Sequence, residues 1–364
     1  MNQRSEPSRR SFLAGSTAIG AIGLGAIRMP ATLANSSKSD ELRVGLMNLQ
    51  VYSHLGIWAP ILKPFTGMRI THCWDINPNV AESFAKGYNA TAVKNFDGML
   101  GKVDAIISGG YYNNPWNHII HEPYLEAGLP NLINRPFANS LAKSDKLLEL
   151  ARKHKAPLLV PSSFEHTQAM VQAKAWAKDK TITCYNATNA SDDYATHGVH
   201  GVYIVCRAIA ESGHPVVSVA HRAKNWHSSP AVVTYEHQAS DGNRFMGTLH
   251  LGPFGLGGIR IHTAGEPAGK GFQIEHGTGY PYNKTQLWAP TLWEFESLAR
   301  GNAPSQSLEQ IEHKHRTYMA GFWSLLKKEG KPTRLDEVPV DWEAPVDIPG
   351  LNHQETTRFR KKFG

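Results

Sequence analysis

The alternation of apolar and polar positions is clearest between residues 103 and 136. Residues 103–108 read as a short buried strand and 109–115 as a loop rich in Gly, Tyr and Asn. Residues 116–127 read as a helix closed by Gly128 at its C′ position. Residues 129–133 read as a second strand, ended by Asn134-Arg135-Pro136. A strand–helix–strand unit this short requires parallel strands joined by a right-handed crossover. Open parallel sheets bind ligands outside the carboxyl ends of their strands. The loop holding Tyr112 and the Asn134-Arg135 turn are two such ends.

The same alternation extends in both directions. Strands are predicted at 42–47, 68–74, 91–93 and 157–160, helices at 80–87 and 143–154, and a helical turn at 96–100. Residues 41–160 therefore read as a Rossmann-like, doubly wound parallel sheet. Beyond it, 170–178 reads as a helix, 182–190 as a strand, and the chain then enters a long helix that stops before Gly213. Residues 216–223, 231–237, 244–251, 259–264 and 271–276 read as successive strands with Gly- or Asp-containing turns. Helices follow at 288–300 and 307–326. Residues 161–330 thus form an expected α+β substrate and oligomerisation domain on a large, mostly antiparallel sheet. Residues 331–364 read as a C-terminal arm, extended at first and ending in a solvated basic stretch at 358–362.

Composition adds an address. Ser8-Arg9-Arg10-Ser11-Phe12-Leu13 is a twin-arginine pattern, followed by a Gly/Ala-rich apolar run over 14–27 and a small-residue cleavage site at Thr32-Leu33-Ala34. Residues 1–34 are read as a Tat signal peptide, so the mature protein is expected in the periplasm or outside the cell. The leader holds Arg4, Arg9, Arg10 and Arg28 against Glu6, which is three of the formal +7 and leaves +4 for the rest. No dense Lys/Arg block with interleaved aromatics occurs, so nucleic acid is not an expected partner. No later apolar run reaches the ~18 residues of a membrane span, so no membrane contact is expected after leader removal. Cys73, Cys184 and Cys206 fit neither a disulfide framework nor a zinc spacing and read as small core residues. No metal is expected.

The order of strand, polar loop with His118, helix ending Glu126-Ala127-Gly128-Leu129, strand and cation-Pro turn resembles the Gfo/Idh/MocA oxidoreductases. These are two-domain sugar dehydrogenases with a nicotinamide-binding Rossmann half, and the resemblance covers nearly the whole mature chain in element order. It implies NAD or NADP as cofactor. Asp75, closing the second strand, is the implied ribose ligand, with Asn48, Tyr112, His118, Asn134 and Arg135 around the nucleotide. It also implies a proton-transfer histidine on the helix lining the sugar site, which alignment on Gly198 makes His200. Three departures stand out. The G-x-G-x-x-G turn is absent between Gly45 and Gly56, Arg135 replaces the lysine of the family's Glu-Lys-Pro, and Thr196 replaces the acid before Gly198.

The residues support a site beside that resemblance. His197 and His200 are three apart and share a face once the helix has begun. Asp192, Asp193 and Tyr194 lie just upstream. Tyr194, His197, His200 and Arg135 are the catalytic candidates, and Asp193, Glu165 and His166 the substrate-contacting ones. Arginine is permanently charged and binds carboxylate or sulfate bidentately, which points to an anionic sugar.

Three functional readings result. The first is an exported carbohydrate-active oxidoreductase that moves hydride at a sugar ring carbon with a tightly held nicotinamide, because no free nicotinamide pool exists outside the cytoplasm. The second is a redox-free lyase or dehydratase on uronate or sulfated oligosaccharides. The third is a non-enzymatic sugar-binding protein. In each the partner is a small carbohydrate or oligosaccharide, and the sheet is the expected surface of a homo-oligomer.

Overall fold

The computed structural model describes residues 41–50, 53–191, 193–228, 230–253, 257–274, 284–347 and 354–364. The twin-arginine leader, Asp192, His276, Tyr280 and Tyr282 lie outside the described residues.

The first half runs β1 (Leu42–Met47), α1 (Leu55–Phe65), β2 (Met68–Trp74), α2 (Pro78–Tyr88), β3 (Thr91–Ala92), β4 (Ala105–Ser108), α3 (Asn117–Ile120), α4 (Glu122–Glu126), β5 (Asn131–Ile133), α5 (Leu141–His154) and β6 (Leu158–Leu159). The strands are parallel throughout, in the order β3-β2-β1-β4-β5-β6. That order reverses between β1 and β4, the switch point at which such sheets open a crevice. Central strands β1 and β4 are almost wholly apolar and buried because helices cover both faces. Asn77 and Ser140 cap α2 and α5 through their side chains, each satisfying an orphan N–H of the first turn.

The helix expected over 116–127 is broken. A 3-10 turn at Asn114–Trp116 leads into α3, and α4 restarts after His121 with Pro123 in its first turn. Proline lacks the N–H a continuous helix would need there.

The second half runs α6 (Gln168–Ala177), β7 (Ile182–Ala190), α7 (Val199–Ala208), β8 (Val216–Ala223), β9 (Ala231–Gln238), β10 (Arg244–Gly252), β11 (Gly257–Thr263), β12 (Glu266–Gln273), α8 (Ala289–Ala299), α9 (Leu308–Lys327), β13 (Thr333–Arg334) and α10 (Gln354–Phe363). Its seven strands lie in the order β12-β11-β7-β10-β9-β8-β13. β7 and β10 pair in parallel, and the other described pairs are antiparallel. α7, buried along its whole length, packs on this sheet, and α9 packs beside it against β8.

Within 161–330, Ala289, Leu292, Phe295 and Leu298 of α8 pack into the apolar core formed by β1, α1 and β2. Two sequence expectations change at this level. The basic stretch at 358–362 lies on α10 and is anchored: Phe359 is buried, stacked on Trp116 at 5.1 Å and edge-on to Trp74. Cys184 is exposed on β7 while Cys73 and Cys206 are buried. Among the described residues no helix is long and apolar enough to cross a membrane.

Candidate active site

The carboxyl ends of β4, β5 and β6 converge on the start of α7. Arg135, just after β5 and before a cis bond to Pro136, is fully buried. Its Nη2 donates to His200 Nε2 at 2.7 Å and to His54 Nε2 at 3.1 Å, and its Nε also donates to His200 Nε2 at 3.1 Å. A guanidinium can only donate, so Nε2 of both histidines accepts and the ring proton of each sits on Nδ1. His200 then donates to Ser162 Oγ at 2.6 Å and His54 to Asn134 Oδ1 at 3.0 Å. Asn134 is oriented in turn by donating to the Gly109 carbonyl. Burial, and then the charge of Arg135, hold both imidazoles well below the ordinary histidine range. They are neutral at physiological pH.

Among the described residues Arg135 makes no salt bridge to a carboxylate; its guanidinium donates to the two histidines. Its Nη1 is buried without a hydrogen-bond partner among the described residues. The Tyr111 ring lies over the guanidinium at 4.2 Å, a cation–π lid. The walls are aromatic: Phe164 stacks on His200 at 4.4 Å, and Trp288 meets His54 edge-on at 4.7 Å. Both chain segments that enter the site from the second half, Tyr194–Gly198 and Lys284–Trp288, are single π-helical turns. Such turns recur at functional sites.

His197 occupies a different position from His200. Its side chain is about half exposed, and its Nδ1 lies 3.3 Å from Asp193 Oδ2. Asp193 also caps the π-turn through the Thr196 N–H and hydroxyl. Burial alone would raise the Asp193 carboxyl, but the bonds from His197 and Thr196 outweigh it and hold it below its usual range. His197 therefore has a carboxylate behind one ring nitrogen, and its other nitrogen has no hydrogen-bond partner among the described residues. His200 Nε2 is already occupied by Arg135.

Behind the site lies a buried ionic ladder. Ser162 and Glu165 form a reciprocal capping box around the turn after β6. Lys314 of α9 donates to both Glu165 oxygens at 3.0–3.1 Å, to the Val160 carbonyl and to Gln306. Burial would raise the Glu165 carboxyl, but Lys314 and then His166 outweigh it and bring it to about 2. Glu165 thus fixes, through the Ser162 N–H, the turn that carries Ser162 to His200, and His166 is buried beside it with Nε2 3.5 Å from Glu165 Oε1. Tyr194 is also relocated: its ring packs on Tyr318, Phe322 and His221, and its hydroxyl donates to the Tyr318 carbonyl. His118 lines a separate cleft of about 530 Å³ with Lys143, Glu343 and Arg360, under α10, away from Arg135. Tyr112 is buried beside Tyr111.

Residues 19–162 match a family model described as "Oxidoreductase family, NAD-binding Rossmann fold", that of Gfo/Idh/MocA. The match falls on the part of the chain that carries the parallel sheet. The whole described fold is similar to a probable dehydrogenase from Thermotoga maritima, at 15% identity over 82% of this chain and 100% of that one, with TM-score 0.67. It is similar to scyllo-inositol dehydrogenase from Lactobacillus casei at 12% identity over 82% and 99%, TM-score 0.65. It is also similar to GenD2 from gentamicin A biosynthesis, solved in complex with NAD, at 14% identity over 82% and 97%, TM-score 0.65. A comparison with curated proteins finds no match to the sequence.

The family's nucleotide meets an altered crevice here. Asn48 adopts the left-handed conformation at φ 61°, which supplies the tight turn after β1 that a glycine normally makes. Its amide donates to Ser108 Oγ. Asp75 has both oxygens engaged: by the Leu49 N–H at 2.8 Å, the Asn77 N–H at 2.7 Å and the Gln50 side-chain amide at 2.9 Å. The Gln50 side chain thus stands on Asp75 where a ribose hydroxyl is read in the fold's usual pose. The sequence alone missed His54, Tyr111, Ser162, Trp288 and Lys314. Ser162 had a legible signal, the S-x-x-E spacing to Glu165.

Proposed function

We propose that this protein is an exported, carbohydrate-acting member of its oxidoreductase family whose substrate carries a carboxylate or sulfate bound by Arg135. The observation that carries the reading is Arg135 Nη1, buried without a hydrogen-bond partner among the described residues. An unpaired buried cation is costly, and an incoming anion would satisfy it with a charge-assisted pair. Tyr111 covers the guanidinium, so the anion reaches Nη1 only as that ring swings aside. The aromatic walls suit a sugar face, and the twin-arginine pattern supports export.

Within this reading His197 Nε2 takes the proton removed from substrate, and Asp193 stabilises the imidazolium that results. His200 and His54 hold Arg135 in place. The family's nicotinamide supplies hydride transfer in its relatives, and no step here depends on it. A second reading, redox-free elimination, is supported by Gln50 on Asp75. There His197 removes the proton α to a uronate carboxylate held by Arg135, the electron pair forms the C=C bond, and the β-oxygen departs as alcohol after protonation by water. We also propose that the protein is a homo-oligomer through the outer face of the seven-stranded sheet, where Val232 and Met246 are exposed. Light scattering on purified protein tests this.

Calorimetric titration of natively exported protein with glucuronate and with glucose tests the anion site. Glucuronate is expected to bind and glucose to bind at least tenfold more weakly, with the difference lost in Arg135→Met. Equal affinity for the two sugars in the wild type would sink the reading. Mass spectrometry of the denatured protein separates the two chemistries: stoichiometric NAD(P)(H) selects hydride transfer, and its absence selects elimination.

A further inference from the structure

Asn48, Gln50 and Ser53 stand at the spacing of the three glycines in a G-x-G-x-x-G turn. Each has a definite job here. Asn48 keeps the left-handed turn. Gln50 donates its side-chain amide to Asp75 Oδ1. Ser53 Oγ accepts from the Leu55 N–H, and Ser53 forms a β-bridge with Gly110. The His54 N–H donates to the Gly109 carbonyl at 2.9 Å. The His54 and Leu55 N–H groups at the start of α1, a place that a pyrophosphate uses in this fold, are thus spent on the chain itself. The Ser53–Gly110 bridge spans the gap between the β1 and β4 loops, the switch-point crevice. A Cβ on Gly109 would come within 2.4 Å of the Leu55 side chain, and one on Gly110 within 2.9 Å of the Asn48 Cβ, so the two loops are in close contact.

We propose that Gln50 is a built-in competitor for the dinucleotide. Its amide takes the place on Asp75 that a ribose hydroxyl takes in Rossmann folds, and with the Ser53–Gly110 bridge it holds the crevice closed against free NAD or NADP. A purely structural role does not account for it. Asp75 already has two main-chain donors, from Leu49 and Asn77, while Gln50 leaves its own Oε1 buried without a partner among the described residues. Closure also shows in the acid itself: burial drives Asp75 up to about 6 despite its three hydrogen bonds. The inference is independent of what Arg135 binds.

Fluorescence titration of NAD and NADP into wild type, Gln50→Gly and Gln50→Ser tests it. Gln50→Gly is expected to bind at least tenfold more tightly than wild type, with Gln50→Ser between them. Adding Asp75→Ala to Gln50→Gly is expected to cancel the gain. Should the glycine variant fail to fold by circular dichroism, the serine variant carries the comparison. Three proteins of equal affinity would overturn the proposal, whether all bind or none does. A gain that survives Asp75→Ala would overturn it too, as would wild-type protein purified with stoichiometric nucleotide.

Discussion

Arg135 is a buried cation facing two neutral imidazoles, and the chain spends much of its polar chemistry on keeping it there. The chain of contacts Lys314–Glu165–Ser162–His200–Arg135 sets its position. Lys314→Met leaves the buried Glu165 carboxylate unpaired, which is expected to cost about 3–5 kcal/mol, read by urea unfolding. The double variant Lys314→Met/Glu165→Gln should recover part of that loss. His197→Gln is expected to abolish turnover while leaving glucuronate affinity within twofold, because His197 touches no atom of Arg135 in the described contacts. A His197→Gln enzyme with wild-type turnover would return proton transfer to His200. The sequence placed both histidines near the chemistry through their spacing, yet could not divide their roles. That division depends on which ring Arg135 reaches, a contact across 65 positions.

Element boundaries were legible where local chemistry fixes them. The Gly128 stop and the apolar runs of β1, β2 and β4 were within reach of pattern, whereas the Asn77 and Ser140 caps start α2 and α5 two residues before the expected 80 and 143. The identity of an element's partner was not. α8 reads as one more helix of the second half, but its apolar face fills the space over α1. α10 reads as a solvated basic tail because Arg358, Arg360, Lys361 and Lys362 dominate it. Its two large apolar residues decide otherwise: Phe359 packs against Trp74 and Trp116, and Phe363 meets Phe96 edge-on. Phe359→Ala is expected to destabilise by about 3–4 kcal/mol, measured by chemical denaturation with tryptophan fluorescence. A cost below about 0.5 kcal/mol, the range of surface changes, would return α10 to solvent.

At the scale of the molecule, buried histidines make stability depend on pH. Burial lowers His121, His221 and His315 to about 4 and His237 to about 3. The unfolded chain takes up protons near the ordinary value of 6.5 and the folded chain does not, so stability is full above 6.5 and is lost as pH falls toward 4. Glu165, depressed to about 2, adds a further loss below about 4.5. Asp75, raised to about 6, acts in the opposite direction, favouring the fold as pH falls from 6 toward 4, but it is one group against four. Thermal melts from pH 7.5 to 4 are expected to show a steep, monotonic fall in Tm, and a flat profile would contradict it. The sequence by itself determined the two sheets, their order along the chain, the crossover that aims Arg135 and Asn134 at a carboxyl end, and the loss of the glycine turn. Those follow from periodicity, capping and backbone freedom, all of which act over a few residues. Only the tertiary structure decided that Gln50 lies on Asp75, that His54 joins His200 on Arg135, and that Lys314 stands behind them. These are contacts between segments 25 to 149 positions apart. They are fixed by burial, which favours a partner for a polar group wherever the fold brings one.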